Sequence, residues 1–195
     1  MYVRARSPAV ILTILGFLGC CSSAAVAAET VFGNGEAQVC ADAARNMEKG
    51  IAQKDQALAA CNMAIGAENL PIRDLAGTYI NRGVLYLARG AYHEAKQDFD
   101  SAAALQPALG EAYTNRGAAL VGMQHYAAAI TDLNRGLELK TDEPEKAYFN
   151  RGLAEEGLDN IQEAYRDYSR AAELKPQWDL PRNELSRFTV NTPRS

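Results

Sequence analysis

The tripeptide Asn-Arg-Gly occurs three times in the chain, as Asn81-Arg82-Gly83, Asn115-Arg116-Gly117 and Asn150-Arg151-Gly152. The copies begin 34 and then 35 residues apart, and much of the sequence around each copy recurs with it. Self-similarity at this period is typical of repeat architectures, in which each unit buries its apolar face only against its neighbours. The repeat therefore predicts an extended array of stacked units. Arrays of this kind function by presenting a binding surface to a partner.

Two apolar stripes within each unit predict a pair of amphipathic helices. In the first unit, Tyr79 and Gly83 share one helical face, while Ala95 and Phe99 share another. Gly90 lies between the two stripes and supplies the turn. Small residues at the crossing, with Gly83 facing Ala95, let the two helix backbones approach closely. Each unit is thus expected to be a helical hairpin.

The aligned units share an aromatic residue, a small residue, an alanine and a second large residue at fixed spacing. The corresponding positions are Tyr79, Tyr113 and Tyr148; Gly83, Gly117 and Gly152; Ala95, Ala129 and Ala164; Phe99, Leu133 and Tyr168; Ala102, Gly136 and Ala171; and Leu105, Leu139 and Leu174. This pattern resembles the tetratricopeptide repeat (TPR) family. The resemblance implies an all-α solenoid of antiparallel helix pairs with a C-terminal capping helix, which serves as a non-enzymatic scaffold for binding other proteins.

Composition and proline positions divide the rest of the chain. Prolines follow the second helices of the units, where a helix cannot continue, and Pro144 does so one residue late, which accounts for the 35-residue spacing. The predicted segments are a signal peptide (1–28), a flexible linker (29–35), a degenerate first hairpin (36–71), three repeats (76–109, 110–143 and 145–178), a capping helix (179–189) and a tail (190–195).

The N-terminus has the pattern of a secretory signal peptide. Arg4 and Arg6 precede an apolar run over residues 9–18, and small residues follow up to a cleavage site after Ala27 or Ala28. The run is shorter than the roughly 20 residues that a membrane-spanning helix requires. The sequence therefore predicts an exported protein, most simply one of the bacterial periplasm, with no membrane insertion of the mature chain.

Four cysteines fall into two pairs. Cys20 and Cys21 lie in the predicted signal peptide, which leaves Cys40 and Cys61 in the mature chain. An even number of cysteines in an exported protein favours a disulfide, and the alternative is two inert buried thiols. A second interpretation of the signal treats Cys20 as the lipidated residue of a lipobox, which would make the protein an outer- or inner-membrane lipoprotein.

The charge balance excludes some classes of partner. The whole chain has 20 basic and 24 acidic side chains, and removal of the two arginines of the signal leaves 18 basic side chains and a formal net charge of −6. An acidic domain without a basic stripe is a poor match for nucleic acid or for an anionic membrane surface. The remaining partner class is another protein, with the cell envelope as its most direct source.

An arginine in each repeat is followed 16 residues later by an aspartate. The pairs are Arg82 and Asp98, Arg116 and Asp132, and Arg151 and Asp167. This co-occurrence predicts a ladder in which the acid of one repeat bonds the arginine of the next, namely Asp98 with Arg116 and Asp132 with Arg151. The alternative is that the arginines grip an acidic ligand.

The TPR resemblance also implies a concave groove lined by the first helix of each repeat. The predicted peptide-binding residues are Ile80, Asn81, Val84, Leu87, Thr114, Asn115, Val121, Phe149, Asn150 and Leu153. Their apolar majority favours an amphipathic or extended hydrophobic segment as ligand. The clamp for acidic C-terminal tails needs lysine and asparagine where this chain has Ile80 and Val84. The recurring asparagines bond either the backbone of a bound peptide or the neighbouring helices. The groove itself is filled by a partner segment, by residues 29–35 of the same chain or by a second copy of the protein.

The sequence predicts no catalytic residue, no cofactor and no metal site. His93 and His125 are far apart and have no consistent acid beside them, so they are interpreted as surface residues. No glycine-rich phosphate loop, Gly-x-Ser-x-Gly elbow or Cys-x-x-Cys pair occurs. The leading hypothesis is a periplasmic adaptor that binds an envelope protein, and the alternative is a structural protein that self-associates into a homo-oligomer.

Overall fold

An array of α-helices accounts for most of the chain in the computed structural model, which describes residues 2–5, 35–45, 51–67 and 69–191. The described helices are α1 (Gly35–Arg45), α2 (Ile51–Gly66), α3 (Ile72–Leu87), α4 (Tyr92–Leu105), α5 (Gly110–Gly122), α6 (Tyr126–Glu138), α7 (Pro144–Gly157), α8 (Ile161–Leu174) and α9 (Asp179–Leu185). Two short strands, β1 (Tyr2–Ala5) and β2 (Phe188–Asn191), pair antiparallel. The predicted all-α repeat solenoid is confirmed.

Three helical hairpins form the central array, namely α3 with α4, α5 with α6, and α7 with α8. Prolines place two of the helix starts: Pro71 is the N-cap of α3 and Pro144 is the first residue of α7. Proline suits this position because the amide that it lacks has no partner in the first helical turn. Each hairpin packs against the next one, since α4 contacts α5 and α6 contacts α7.

Glycine allows the two helices of each hairpin to cross closely. A Cβ atom added to Gly83 would lie 2.5 Å from Phe99 Cε1, one on Gly117 would lie 2.6 Å from Leu133 Cγ, and one on Gly152 would lie 2.7 Å from Tyr168 Cε1. Phe99, Leu133 and Tyr168 are fully buried. The large side chain of the second helix therefore fills the space that a Cβ would otherwise occupy on the first.

Tyrosine and glycine also join neighbouring repeats. The ring of Tyr92, at the start of α4, lies where a Cβ on Gly122 of α5 would be, at 2.5 Å. The ring of Tyr126 stands in the same relation to Gly157 of α7, also at 2.5 Å. The same tyrosine-to-glycine contact thus recurs at two successive junctions, which makes the stacking of the repeats regular.

The core runs along the array as a chain of clusters. The first repeat buries Ile80, Val84 and Phe99 together with Ala44 of α1. The second buries Leu120, Val121 and Leu133, and the third buries Phe149 and Tyr168 together with Phe188 of β2. A smaller cluster joins Cys40, Ala57 and Cys61 of the N-terminal hairpin to Leu85 of α3.

The turn inside each repeat requires a left-handed backbone at one position. This position is Gly90 (φ 72°) in the first repeat, Gln124 (φ 61°) in the second and Asp159 (φ 62°) in the third. A non-glycine residue is disfavoured there because its Cβ approaches the following carbonyl oxygen. Only the first repeat has the residue that adopts this conformation without strain.

Gln124→Gly is therefore expected to raise the free energy of unfolding by about 0.5–1 kcal/mol. The reciprocal change, Gly90→Gln, is expected to lower it by a similar amount. Urea denaturation followed by circular dichroism measures both. A loss of stability in both variants would show that the exposed Gln124 side chain contributes more than its backbone conformation costs.

The segments outside the central repeats differ in part from the predictions. Helices α1 and α2 lie in the region predicted for a degenerate hairpin (36–71), except that α1 begins one residue earlier, at Gly35. The capping helix α9 ends at Leu185, short of residue 189, and β2 extends to Asn191, beyond the predicted start of the tail. Of the predicted signal peptide, only Tyr2–Ala5 is described, as β1, and the predicted linker lies outside the described residues except for Gly35.

Candidate functional site

The recurrent arginine of each first helix forms a two-bonded ion pair with the aspartate of its own repeat. Arg82 Nε and Nη2 donate to the carboxylate of Asp98 at 2.8 and 2.6 Å. Arg116 bonds Asp132 at 2.6 and 2.7 Å, and Arg151 bonds Asp167 at 2.8 and 2.6 Å. The predicted pairing of Asp98 with Arg116 and of Asp132 with Arg151 is therefore wrong. The ion pairs connect the two helices of one repeat.

The contact to the preceding hairpin uses the third donor of each guanidinium. The Nη1 atom of Arg82 donates to Asn62 Oδ1 at 2.7 Å, that of Arg116 to Asp100 Oδ1 at 2.9 Å, and that of Arg151 to Asn134 Oδ1 at 2.6 Å. Sequence reasoning missed these acceptors, although Asp100 and Asn134 lie 34 residues apart and so show the repeat period. Each arginine thus links three helices of two neighbouring hairpins.

These arginines have few donors left for a ligand. Their side chains are 19%, 21% and 23% exposed, and each guanidinium carbon lies 5.2–5.6 Å from the centre of a tyrosine ring on the same helix. Hydrogen bonding to Asp132, with a further contribution from Asp100, raises the pKa of Arg116 above its ordinary value. The geometry assigns the arginines to structure and disfavours their use as a grip for an acidic ligand.

Most of the predicted groove residues are buried. Eight of the ten are less than a tenth exposed, and only Leu87 and Leu153 are partly exposed. The eight are Ile80, Asn81, Val84, Thr114, Asn115, Val121, Phe149 and Asn150. Neighbouring elements explain part of this burial, because Ala44 of α1 packs with Ile80 and Val84, and the ring of Trp178 lies 4.9 Å from that of Phe149. The expectation of an open apolar lining is therefore wrong for these eight side chains.

Polar atoms at two adjacent repeat positions are buried without a partner. Three such atoms are inaccessible to solvent and make no hydrogen bond among the described residues, namely Asn115 Nδ2, Asn150 Nδ2 and Thr114 Oγ1. Asn115 and Asn150 occupy the same position in α5 and α7. A buried donor without an acceptor costs about 1–3 kcal/mol. The same unsatisfied amide donor therefore recurs at equivalent positions of the second and third repeats.

A polar cluster closes the C-terminal end of the third repeat. Arg187 donates to both carboxylate oxygens of Glu156 at 2.9 and 2.8 Å and also pairs with Glu184. Tyr168 O–H donates to Glu156 Oε2 at 2.9 Å, and burial raises the pKa of this tyrosine well above its ordinary value. Glu156 thus anchors the segment after α9, so that it is not available to a ligand.

The two cysteines of the N-terminal hairpin are adjacent and buried. Their sulfur atoms lie 2.15 Å apart and their Cα atoms lie 4.9 Å apart, which places Cys40 of α1 and Cys61 of α2 in disulfide geometry. Both side chains are fully buried. The pair joins the two helices whose alanine contacts bury little area.

The described residues offer no metal site. No group of three or more histidine, cysteine, aspartate or glutamate side chains within them is arranged to hold a metal ion. His93 and His125 are both exposed and lie at the starts of α4 and α6, the second helices of two different repeats. Among the described helices, none combines the length and the apolar character that crossing a membrane requires.

Comparison with known sequences identifies the repeats. A family model for the tetratricopeptide repeat matches residues 76–109, 110–143 and 145–177, which together make up half of the chain. No curated protein sequence matches the chain.

Solved structures with the same architecture include a peptide-bound one. The first TPR domain of human RPAP3 is 32% identical, with a TM-score of 0.53 over 57% of this chain and 87% of that one. The first TPR of Spaghetti (RPAP3), bound to the HSP90 peptide SRMEEVD, gives the same identity, TM-score and coverage. MamA from Desulfovibrio magneticus RS-1 is 21% identical, with a TM-score of 0.60 over 78% and 82% of the two chains, and shares the fold.

Proposed function

The chain belongs to the tetratricopeptide repeat family, and from that premise we propose that it is a non-enzymatic adaptor that binds an extended peptide segment of a partner protein. The repeats make it a protein–protein interaction module. The binding face under this proposal is the row of first helices α3, α5 and α7, which carries the recurrent asparagines. The partner is a protein of the cell envelope.

The buried amide donors of Asn115 and Asn150 carry this proposal. Each presents an N–H group that has no acceptor among the described residues. A peptide in extended conformation has backbone carbonyl groups at regular intervals, and these are the acceptors that two equivalent amides on neighbouring helices would bind. Because both amides are covered, binding requires the covering atoms to move aside, and the hydrogen bonds gained then offset that cost.

The residues at two positions of the first repeat restrict the class of ligand. Ile80 and Val84 occupy the positions where a clamp for an acidic C-terminal tail has lysine and asparagine, and both are fully buried in the core. The RPAP3 relative binds a peptide that ends in such acidic residues. Without those clamp side chains, this chain is expected to bind acidic tails weakly. The predicted lining residues that remain partly exposed are Leu87 and Leu153, so an extended apolar segment with free backbone carbonyls is the expected ligand.

The double variant Asn115→Leu, Asn150→Leu tests the proposal through two opposite effects. Removal of two buried donors without acceptors is expected to raise the free energy of unfolding by about 1 kcal/mol or more. The same change is expected to remove the partner from crosslinked captures out of the native cell envelope. Asn183→Leu, at an exposed position in α9, is the matched control and should retain the partner.

Two results would contradict it. Capture of the same protein by the double variant would show that the asparagines do not contact the ligand. Loss of stability in the double variant would show that the amides bond the protein's own helices, in line with the structural interpretation of the asparagines.

The proposal also places the protein outside the cytoplasm. The signal-like residues 1–28 would be removed on export to the periplasm, or the chain would be retained from Cys20 as a lipoprotein. The adjacent Cys40 and Cys61 support this assignment, because disulfides persist in oxidising compartments. Intact mass of the protein isolated from the envelope distinguishes the two forms.

Cys40→Ala, Cys61→Ala is expected to lower the free energy of opening the N-terminal hairpin by about 3 kcal/mol, since the disulfide limits the conformational freedom of the loop that it closes. The sequence separation of the two cysteines is 21 residues. Hydrogen exchange of α1 and α2 measures this effect, and exchange of α7 and α8 serves as an internal control. Equal exchange of α1 in the variant and the parent would show that the two thiols stabilise the hairpin by packing alone.

A further inference from the structure

The C-terminal end of the array is covered by a sheet formed from the two ends of the chain. Strand β1 pairs antiparallel with β2 in a fixed register, in which Val3 lies opposite Val190 and Ala5 lies opposite Phe188. Among the described residues the sheet has only these two strands. Strand β1 also packs against α8, the last helix of the third repeat.

One side chain of β1 is inserted into the core. Val3 is 6% exposed and packs with Phe149, Tyr168 and Phe188. The Phe188 ring lies 5.8 Å from that of Tyr165 and 5.9 Å from that of Tyr168, so aromatic side chains form the walls of this hollow. The hollow accepts one β-branched apolar side chain from a strand that runs beside β2.

Export of the protein would remove Val3 from this hollow. This inference rests on the proposed function, in which the signal peptide is cleaved. The strand Tyr2–Ala5 lies within the segment that signal cleavage removes. In the processed chain, β2 would have one backbone edge without its partner strand, next to an aromatic hollow that Val3 no longer fills. An unpaired edge with an adjacent side-chain pocket is a template for strand addition.

We propose that β2 of the processed protein is a strand-addition site for an extended segment of a partner protein. The segment runs antiparallel to β2 and places a valine-like side chain in the hollow between Phe149, Tyr168 and Phe188. Strand β1 supplies the chemistry of this ligand, because it shows which register and which side chain the site accepts. A second copy would have only β2 to donate, since it is the only strand within residues 35–45, 51–67 and 69–191, and the test below separates that dimer from a partner segment.

The site differs from the peptide-binding face proposed for α5 and α7. It uses backbone hydrogen bonds along β2 and lies beyond the third repeat, whereas the asparagine amides lie on first helices within the array. The two sites would bind different segments independently.

The test uses the processed chain isolated from the envelope, with its first residue established by intact mass and its fold by circular dichroism. The probe is a fluorescent peptide with the sequence of residues 1–6, and binding is followed by fluorescence anisotropy. We expect saturable one-to-one binding, which weakens by about tenfold or more when the peptide carries Val3→Asp. The peptide with Val3→Ile is expected to bind about as well as the parent peptide.

Substitutions in β2 separate backbone pairing from side-chain contact. Thr189→Pro, Val190→Pro removes two backbone amides, one of which belongs to the ladder, and is expected to abolish binding. Thr189→Ala, Val190→Ala keeps both amides and is expected to bind within about threefold of the parent. Equal binding by the proline and alanine pairs would overturn strand addition.

The remaining outcomes also decide the matter. Retention of residues 1–5 in the isolated protein, or failure of the processed chain to fold, would overturn this proposal and leave the peptide-binding proposal for α5 and α7 untouched. A processed chain that folds but does not bind the probe would overturn strand addition alone. Dimerisation that excludes the probe, detected by light scattering, would assign β2 to a second copy and overturn the partner assignment.

Discussion

Gly117→Val is expected to lower the free energy of unfolding by about 3–4 kcal/mol, the largest effect among the substitutions considered. A Cβ at this position would lie 2.6 Å from Leu133 Cγ and 3.3 Å from the carbonyl oxygen of Ala129. Leu133 and Ala129 are fully buried, so the Leu133 side chain has little space to move and the α6 backbone at Ala129 has less. The added methyl groups of valine would therefore force α5 away from α6.

A glycine without neighbours provides the control for this substitution. Gly66, at the end of α2, has no atom within 4 Å of the position of its missing Cβ. Gly66→Val is therefore expected to leave the unfolding free energy nearly unchanged. Urea denaturation of both variants measures the difference. Similar midpoints for the two variants would show that the crossing of α5 and α6 tolerates wider spacing than the structure has.

Arg116→Met is expected to lower the free energy of unfolding by about 3 kcal/mol, at the low end for a buried pair because the guanidinium is partly exposed. The substitution removes both hydrogen bonds to Asp132 and the bond to Asp100. Asp132, with 12% of its side chain exposed, would be left as a carboxylate without its cation. The variant thus loses the contact within the second repeat and the contact to the first.

Two further variants show whether the ion pair causes this loss. Arg116→Met combined with Asp132→Leu is expected to recover part of the stability, because no uncompensated charge remains. Arg170→Met, at an exposed arginine whose ion pair is with Glu173 of the same helix, is expected to leave stability nearly unchanged. Unchanged stability together with lost peptide binding in Arg116→Met would assign the arginine to the ligand.

The repeat period predicted the helix pairs because each close contact repeats with it. Gly83 with Phe99 and Gly117 with Leu133 could be aligned without a structure, since both contacts occur within one hairpin. The partners of the arginines cannot be predicted in the same way. Each first helix lies between its own second helix and that of the preceding repeat, so sequence spacing alone does not decide which acid is bonded.

The prediction that each arginine pairs with an aspartate is confirmed. The prediction of which aspartate it pairs with is wrong. Arg116 does contact the preceding repeat, but through Asp100, two residues beyond the predicted Asp98, while Asp132 of its own repeat takes the paired hydrogen bonds. A helix turns by about 200° over two residues, so Asp98 and Asp100 lie on nearly opposite faces of α4. Asp98 therefore faces Arg82 of its own repeat instead.

Exposure of the groove could not be predicted from periodicity. A repeat pattern identifies equivalent positions, whereas burial depends on which elements pack beside each one. Phe149 is covered by Trp178, which follows the last repeat, and Ile80 packs with Ala44 of a hairpin whose helices lack the repeat signature. The unsatisfied amides of Asn115 and Asn150 were likewise visible only in three dimensions, because their sequence pattern suits both a ligand contact and a helix contact.

Binding of library-selected peptides tests the central claim most directly. Peptides selected from a displayed random library on the wild-type chain should be apolar and bind one-to-one in calorimetry. They should lose about tenfold or more in affinity for Asn115→Leu, Asn150→Leu, but not for the Asn183→Leu control. If the selected peptides bind all three proteins equally well, the asparagine row is not the binding face and the account is wrong.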